Sequence, residues 1–77
     1  MINKNLLMGK IISVGLTQKA AAKKIGMSKN TLNSKINNRI DMHSNEILDL
    51  CKLLGITKDE EKVQIFLHEP SQNRGEN

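Results

Sequence analysis

Four polar residues near the middle of the chain have side chains and spacings that suit one side of a helix. They are Lys29, Asn30, Asn33 and Ser34. An asparagine amide can donate to and accept from adenine as a bidentate pair, and a lysine ammonium can donate to guanine. These residues therefore predict hydrogen bonding to base edges in a nucleic-acid duplex, provided that a helix presents them outward.

The charged residues are distributed unevenly along the 77-residue chain, whose formal net charge is +4. Residues 1–40 contain no Asp or Glu, whereas residues 41–77 contain all eight acidic residues. The basic residues of the first segment are Lys4, Lys10, Lys19, Lys23, Lys24, Lys29, Lys35 and Arg39. A solvated lysine-rich face is the alternative, but so long a stretch without an acid favours a surface that faces a polyanion.

Composition disfavours several other classes of partner. The one aromatic residue, Phe66, cannot stack successive bases, so a duplex is favoured over single-stranded nucleic acid. Cys51 has no partner for an internal disulfide and lies in an apolar stretch, which predicts a reduced, buried thiol in a cytoplasmic protein. No segment approaches the roughly 20 apolar residues that cross a bilayer, so no membrane association is expected.

Patterns typical of catalytic and metal sites are not found in the sequence. His43 and His68 lack metal-ligand spacing with Cys51 and with each other. There is no Gly-rich phosphate loop and no triad pattern, and Glu60-Glu61 suits a helix terminus better than a paired-carboxylate site. We therefore expect that the protein is not an enzyme and has no metal, cofactor or small-molecule ligand.

Helical periodicity predicts the elements that position the polar residues. A first helix is predicted from Leu7, Ile11 and Val14, which repeat at i, i+4 and i+7. Gly15 is the predicted end of this helix because glycine readily adopts the left-handed conformation. This repeat predicts an apolar stripe along one face of the first helix, which would pack against a small core.

Two short helices joined by a tight turn are predicted over residues 17–36, whose sequence is TQKAAAKKIGMSKNTLNSKI. Thr17 is the predicted N-cap of the first, over residues 18–25, and Gly26 permits a sharp turn. Ser28 is the predicted N-cap of the second, which ends at Asn37-Asn38. Two such helices are what a helix-turn-helix requires.

The second half of the chain predicts one helix and one ambiguous segment. The helix follows a loop, with Asp41, His43 or Ser44 as its cap, and it runs to about Leu54, before Gly55.

The ambiguous segment is Thr57–Glu69, where Val63, Ile65 and Leu67 alternate as in a strand, whereas Val63, Phe66 and Leu67 match a helix. We favour a helix capped by Thr57, because three acidic residues follow at its positive end.

The sequence resembles the Cro and lambda-type phage repressor family of helix-turn-helix regulators over roughly residues 3–56. The family pattern of Gln, Ala, Gly, Ser and an apolar residue is matched by Gln18, Ala22, Gly26, Ser28 and Leu32. The resemblance implies a compact all-α domain of four or five helices with a lambda repressor-like DNA-binding fold. We assign this domain to residues 1–69 and predict a flexible tail over residues 70–77, because no apolar residue anchors positions 71–77.

The resemblance also implies a division of roles among the polar residues. The family's base-contacting positions correspond to Lys29, Asn30 and Ser34, and the outward-facing Asn33 joins them in the predicted base-reading set. The residues predicted to bind phosphates are Gln18, Lys19, Ser28, Lys35, Asn38 and Arg39. Two positions depart from the family pattern: Ala21 replaces a larger aliphatic residue, and Lys35 stands where an apolar residue is common, so Ile36 takes that role.

The expected function is sequence-specific regulation of transcription by a nucleoid-associated, Cro-type repressor bound to operator DNA. A homodimer is expected because specific affinity usually needs two half-sites. Its candidate interface residues are the surplus apolar ones: Leu48, Leu53, Val63, Ile65 and Phe66. Alternatively, these residues complete the monomer's own core. The alternative function is a protein-interaction module that binds a partner regulator through the acidic half of the chain.

Overall fold

A computed structural model describes residues 1–69 of the chain, and the predicted tail over residues 70–77 lies outside the described residues. Within the described part, five helices and no strand are present, which confirms the all-α prediction. In chain order they are α1 (Lys4–Ser13), α2 (Gln18–Lys24), α3 (Lys29–Ile36), α4 (Ser44–Leu54) and α5 (Asp59–Phe66). None of these helices is both long and apolar enough to cross a membrane.

Side-chain caps explain where the first three helices begin. Thr17 Oγ1 accepts a hydrogen bond from the backbone N–H of Ala20 at 3.0 Å, and Ser28 Oγ accepts one from Thr31 at 3.1 Å. Both caps confirm the sequence predictions. Asn3 caps α1 in the same way, since its side chain accepts from the Leu6 backbone N–H. Each such cap typically contributes about 1 kcal/mol by satisfying an otherwise unpaired backbone donor.

The two later helices begin differently from each other. His43 is the N-cap of α4, and the Glu46 carboxylate accepts its backbone N–H at 2.8 Å. For α5 the helical alternative is confirmed, but the predicted cap is wrong. The N-cap is Lys58 rather than Thr57, and it makes no side-chain capping bond. The acidic first turn of α5 therefore remains its main stabilising feature at that end.

The core is aliphatic and centres on α2, which packs against α1, α3 and α4. Ala21 and Ala22 are buried at these contacts, and their small side chains let the neighbouring helices approach closely. The largest fully buried side chains are Leu7, Ile11, Leu32, Ile36 and Leu50. Val14 does not continue the stripe of Leu7 and Ile11, because α1 ends at Ser13 and leaves Val14 43% exposed.

The apolar residues predicted at a dimer interface separate into three groups. Ile65 and Phe66 are buried in the chain's own core. For these two residues, the alternative that they complete the core of the monomer is therefore correct. Leu53 is partly buried against that core. Leu48 and Val63 are exposed on α4 and α5. A small domain needs most of its apolar residues for itself, which explains the first group.

The N-terminal segment is held beside the end of α5 by backbone hydrogen bonds. The Asn3 N–H donates to the Ile65 carbonyl at 2.7 Å, and the His68 N–H donates to the Met1 carbonyl at 2.9 Å. Ile2, between these two contacts, has a buried side chain. The first three residues thereby connect the start of α1 to the last described helix.

Candidate nucleic-acid interface

The helices α2 and α3 form a unit joined by the short turn of residues 25–28. Gly26 adopts a left-handed conformation with φ of 76°, and the Met27 N–H donates to the Ala22 carbonyl at 2.9 Å. Contact between α2 and α3 is more extensive than between any other helix pair in the described chain. The orientation of α3 therefore depends mainly on its packing against α2.

The face of α3 that points away from the core carries short polar side chains. Leu32 and Ile36 are fully buried, and the opposite face follows from the helical repeat of 3.6 residues. Asn30, Ser34 and the C-cap Asn37 share that face at i, i+4 and i+7, with Asn30 exposed and the other two partly buried. Side chains this short can approach another surface closely, and each can donate and accept hydrogen bonds.

An amide cluster connects the beginning of α2 to the end of α3. Gln18 Nε2 donates to Asn33 Oδ1 at 3.2 Å, and Asn37 Nδ2 donates to the same oxygen at 3.2 Å and to the Asn33 carbonyl at 2.8 Å. Asn33, predicted as a base-reading residue, therefore accepts two side-chain donors from within the protein. The sequence prediction did not include Asn37 in the site, although its spacing from Asn30 and Ser34 indicates it.

Ser28 has its hydroxyl group engaged at the start of α3. In addition to capping the Thr31 N–H, Ser28 Oγ donates to Thr31 Oγ1 at 2.9 Å. Lys29, the next residue, is exposed. The predicted phosphate ligand Ser28 thus stabilises the helix terminus that would present Lys29 and Asn30.

Lys35 is placed differently from the other predicted phosphate ligands. Its side chain is buried beside α4, and Nζ donates to both carboxylate oxygens of Glu46 at 2.6 Å. The hydrogen bonds from Lys35 and from the His43 backbone lower the pKa of Glu46 below its usual range. Because burial and pairing remove Lys35 from the surface, its assignment to phosphate binding is corrected: it joins α3 to α4.

Asn38 follows α3 and contacts the N-terminal segment. The Asn38 side chain accepts the Ile2 N–H at 2.7 Å through Oδ1 and donates to the Ile2 carbonyl at 3.0 Å through Nδ2. Arg39 is exposed, and its backbone N–H donates to the Ser34 carbonyl at 2.9 Å. Both residues were predicted to bind phosphate. The Asn38 side chain is already hydrogen-bonded to Ile2, whereas the exposed Arg39 side chain forms no hydrogen bond with another residue of the described range 1–69.

Most of the basic residues before position 41 form no ion pair with another described residue. Lys10 pairs with Glu61 at 3.0 Å, and Lys35 pairs with Glu46. The other basic residues before position 41 are exposed, and within residues 1–69 they form no ion pair. They are Lys4, Lys19, Lys23, Lys24, Lys29 and Arg39. The exposed surface of the α2–α3 unit therefore carries cations that form no ion pair among the described residues.

Other reactive groups are not assembled into a site in the described part of the chain. Residues 1–69 contain no group of three or more His, Cys, Asp or Glu residues arranged to hold a metal ion. Cys51 is buried, and burial raises the pKa of its thiol, which disfavours the nucleophilic thiolate. The polar and basic surface of α2 and α3 is thus the candidate site of the described residues.

Comparison with known proteins identifies one family. Residues 3–69 match the family described as "Protein of unknown function (DUF739)", and the match spans all five helices. No curated protein and no solved structure matches the chain.

Proposed function

The chain belongs to the DUF739 family of proteins of unknown function, and we propose that it binds double-stranded DNA sequence-specifically as a regulator of transcription. In this proposal the α2–α3 unit is a helix-turn-helix, and α3 enters the major groove as the recognition helix. The observation that carries the proposal is the outward face of α3, where short polar side chains lie next to exposed cations and no acidic residue occurs before position 41. A major groove about 12 Å wide accepts one α-helix.

The proposed roles follow from exposure and hydrogen bonding. Asn30 and Lys29 are exposed at the start of α3, which is the part of a recognition helix that contacts bases, and Ser34 lies on the same side as Asn30. Lys19 and Arg39 are the proposed phosphate ligands at the two ends of the unit. Gln18 is proposed to contact a phosphate near the start of α2 while its amide supports Asn33.

We also propose that two copies bind one operator. A single module buries a small footprint on DNA, and two half-sites one helical turn apart raise both affinity and specificity. Leu48 and Val63 are the predicted interface residues that stay exposed, on α4 and α5 respectively. Sedimentation of the protein with operator DNA tests this part. A complex with one chain per operator would contradict it.

Selection of binding sites from a random duplex library, with the full chain at moderate salt, tests the main proposal. Enrichment of an inverted repeat is the expected result, and its half-site spacing would give the distance between the two recognition helices. A lack of enrichment, together with no retention of duplex even at low salt, would overturn the proposal.

Two exposed lysines, one on the proposed interface and one on α4, provide a matched comparison. Lys19→Gln, at a proposed phosphate ligand, is expected to weaken binding to all duplex sequences similarly and to reduce the slope of log K against log salt by about 1. Lys52→Gln, an equally conservative change at an exposed position of α4, is expected to leave both unchanged. Equal effects of the two substitutions would mean that the cations act only through net charge.

A protein-interaction module remains the second candidate, because Val63 of α5 and its C-cap Leu67 are exposed four residues apart, and α5 also carries the exposed acid Glu60. Such a surface suits a protein partner better than DNA. Association with a protein in the absence of any duplex affinity would favour this second function over the first.

A further inference from the structure

The left-handed residue at the end of α3 differs from those at the ends of α1, α2 and α4. Within residues 1–69, four residues adopt a left-handed backbone conformation, and three of them are Gly15, Gly26 and Gly55. The fourth is Asn38, with φ of 62°. Asparagine also adopts this conformation, though at a higher cost than glycine, so a contact of its side chain would give a further reason for asparagine at this position.

The Asn38 side chain makes such a contact, with the backbone of the N-terminal segment. Both polar atoms of the Asn38 amide are hydrogen-bonded to the backbone of Ile2, a residue 36 positions away. A glycine at position 38 would allow the same turn and lose both bonds. The Ile2 segment is itself fixed to the end of α5 by the bonds of Asn3 to Ile65 and of His68 to Met1.

The backbone bonds around Asn38 connect this residue directly to Arg39, the next residue in the chain. The Asn38 N–H donates to the Lys35 carbonyl at 3.1 Å, and the Arg39 N–H donates to the Ser34 carbonyl. These two bonds form the six-residue pattern that commonly ends a helix with a left-handed residue. Arg39 therefore leaves α3 in a direction set by Asn38.

We infer that Asn38 is a positioning residue for DNA binding and acts through Arg39 rather than by contacting a phosphate itself. The inference rests on the proposed function. Its contact with Ile2 anchors the loop after α3 to the segment held by α5, so that the Arg39 guanidinium is kept close to the duplex backbone. A cation held in place binds a phosphate with less loss of conformational entropy than one on a mobile loop.

Asn38→Gly is the decisive variant, because it retains the left-handed turn without strain and removes the side-chain contact. The backbone order parameter of Arg39 is measured first, by NMR and without DNA, because the loop after α3 is the part that Asn38 anchors. We expect about 0.85 in the unaltered chain and a lower value in the variant. An unchanged order parameter would overturn the proposed anchoring of Arg39, whatever the DNA results.

Duplex binding of Asn38→Gly, Arg39→Gln and the double variant then tests the link to Arg39. We expect each single variant to bind about tenfold more weakly with a slope against log salt that is smaller by about 1, and the double variant to be no weaker than either. Additive losses would mean that Asn38 contacts DNA independently, and wild-type affinity of Asn38→Gly would mean that it positions nothing.

These outcomes are distinguishable from failure of the proposed function. If the unaltered chain bound no duplex at all, the proposed function and the role of Asn38 in DNA binding would both be overturned. The order parameter of Arg39 would still decide whether Asn38 anchors the loop after α3.

Discussion

The ammonium group of Lys35 lies 2.6 Å from both carboxylate oxygens of Glu46, and the two side chains join α3 to α4. Glu46 also accepts the His43 backbone N–H, so one carboxylate both pairs with the lysine and fixes the start of α4. This pair positions the C-terminal half of the proposed recognition helix. It also accounts for the burial of a lysine that sequence position alone would assign to the surface.

Glu46→Gln is expected to destabilise the fold by about 1–3 kcal/mol, because the buried Lys35 ammonium would lose its counter-charge while part of the site stays accessible to water. Urea unfolding at neutral pH measures the loss. Asp49→Asn is the matched control, since Asp49 is an exposed acid of the same helix with no ion pair in residues 1–69. A loss no larger than that of the control would show that the pair contributes little.

Acid should destabilise the protein through the same carboxylate. The pKa of Glu46 in the folded chain is lowered from its ordinary value of 4.5, so the unfolded chain binds the proton more readily. The resulting stabilisation is fully present above the unfolded pKa and is lost as pH falls through the lower, folded pKa. Unfolding free energies measured from pH 7 down to 3 should therefore decline less steeply for Glu46→Gln than for the unaltered chain. Parallel declines would contradict this assignment.

Two neighbouring apolar residues of the first helical stripe are expected to respond differently to truncation. Ile11→Val should cost about 0.5–1.5 kcal/mol, because a fully buried side chain loses a methylene from a packed core. Val14→Ala should stay within about 0.5 kcal/mol, since Val14 is an exposed C-cap residue. Thermal or urea unfolding distinguishes the two. Equal losses would place Val14 in the core.

Asn30→Ala is expected to relax the sequence preference of duplex binding. The loss of one bidentate base contact costs about 1–3 kcal/mol at one base pair and leaves the affinity for other sequences nearly unchanged. Competition between operator variants measures the effect, with Asn45→Ala, an exposed asparagine of α4, as the control. An unchanged preference in Asn30→Ala would remove this residue from the base-reading set.

Local patterns predicted the helices because the interactions that begin and end a helix join residues close in sequence. The caps at Thr17 and Ser28 and the end of α2 at Gly26 all depend on contacts within a few residues. The same patterns were ambiguous after Thr57, where an alternating and a helical apolar pattern overlap. Packing of α1 against α5, with Ile65 and Phe66 buried, is consistent with the helix there.

The sequence by itself determined the all-helical class, the approximate bounds of the helices, and a basic first half rich in short polar residues. Only the tertiary structure decided which of those polar residues the protein uses internally. Lys35 pairs with a residue 11 positions away, and Asn38 contacts one 36 positions away. Such partners are not visible in local spacing, because packing of the helices, rather than propensity, brings them together. The candidate site was therefore predictable as a region, whereas the individual roles of Asn33, Lys35 and Asn38 depended on the fold.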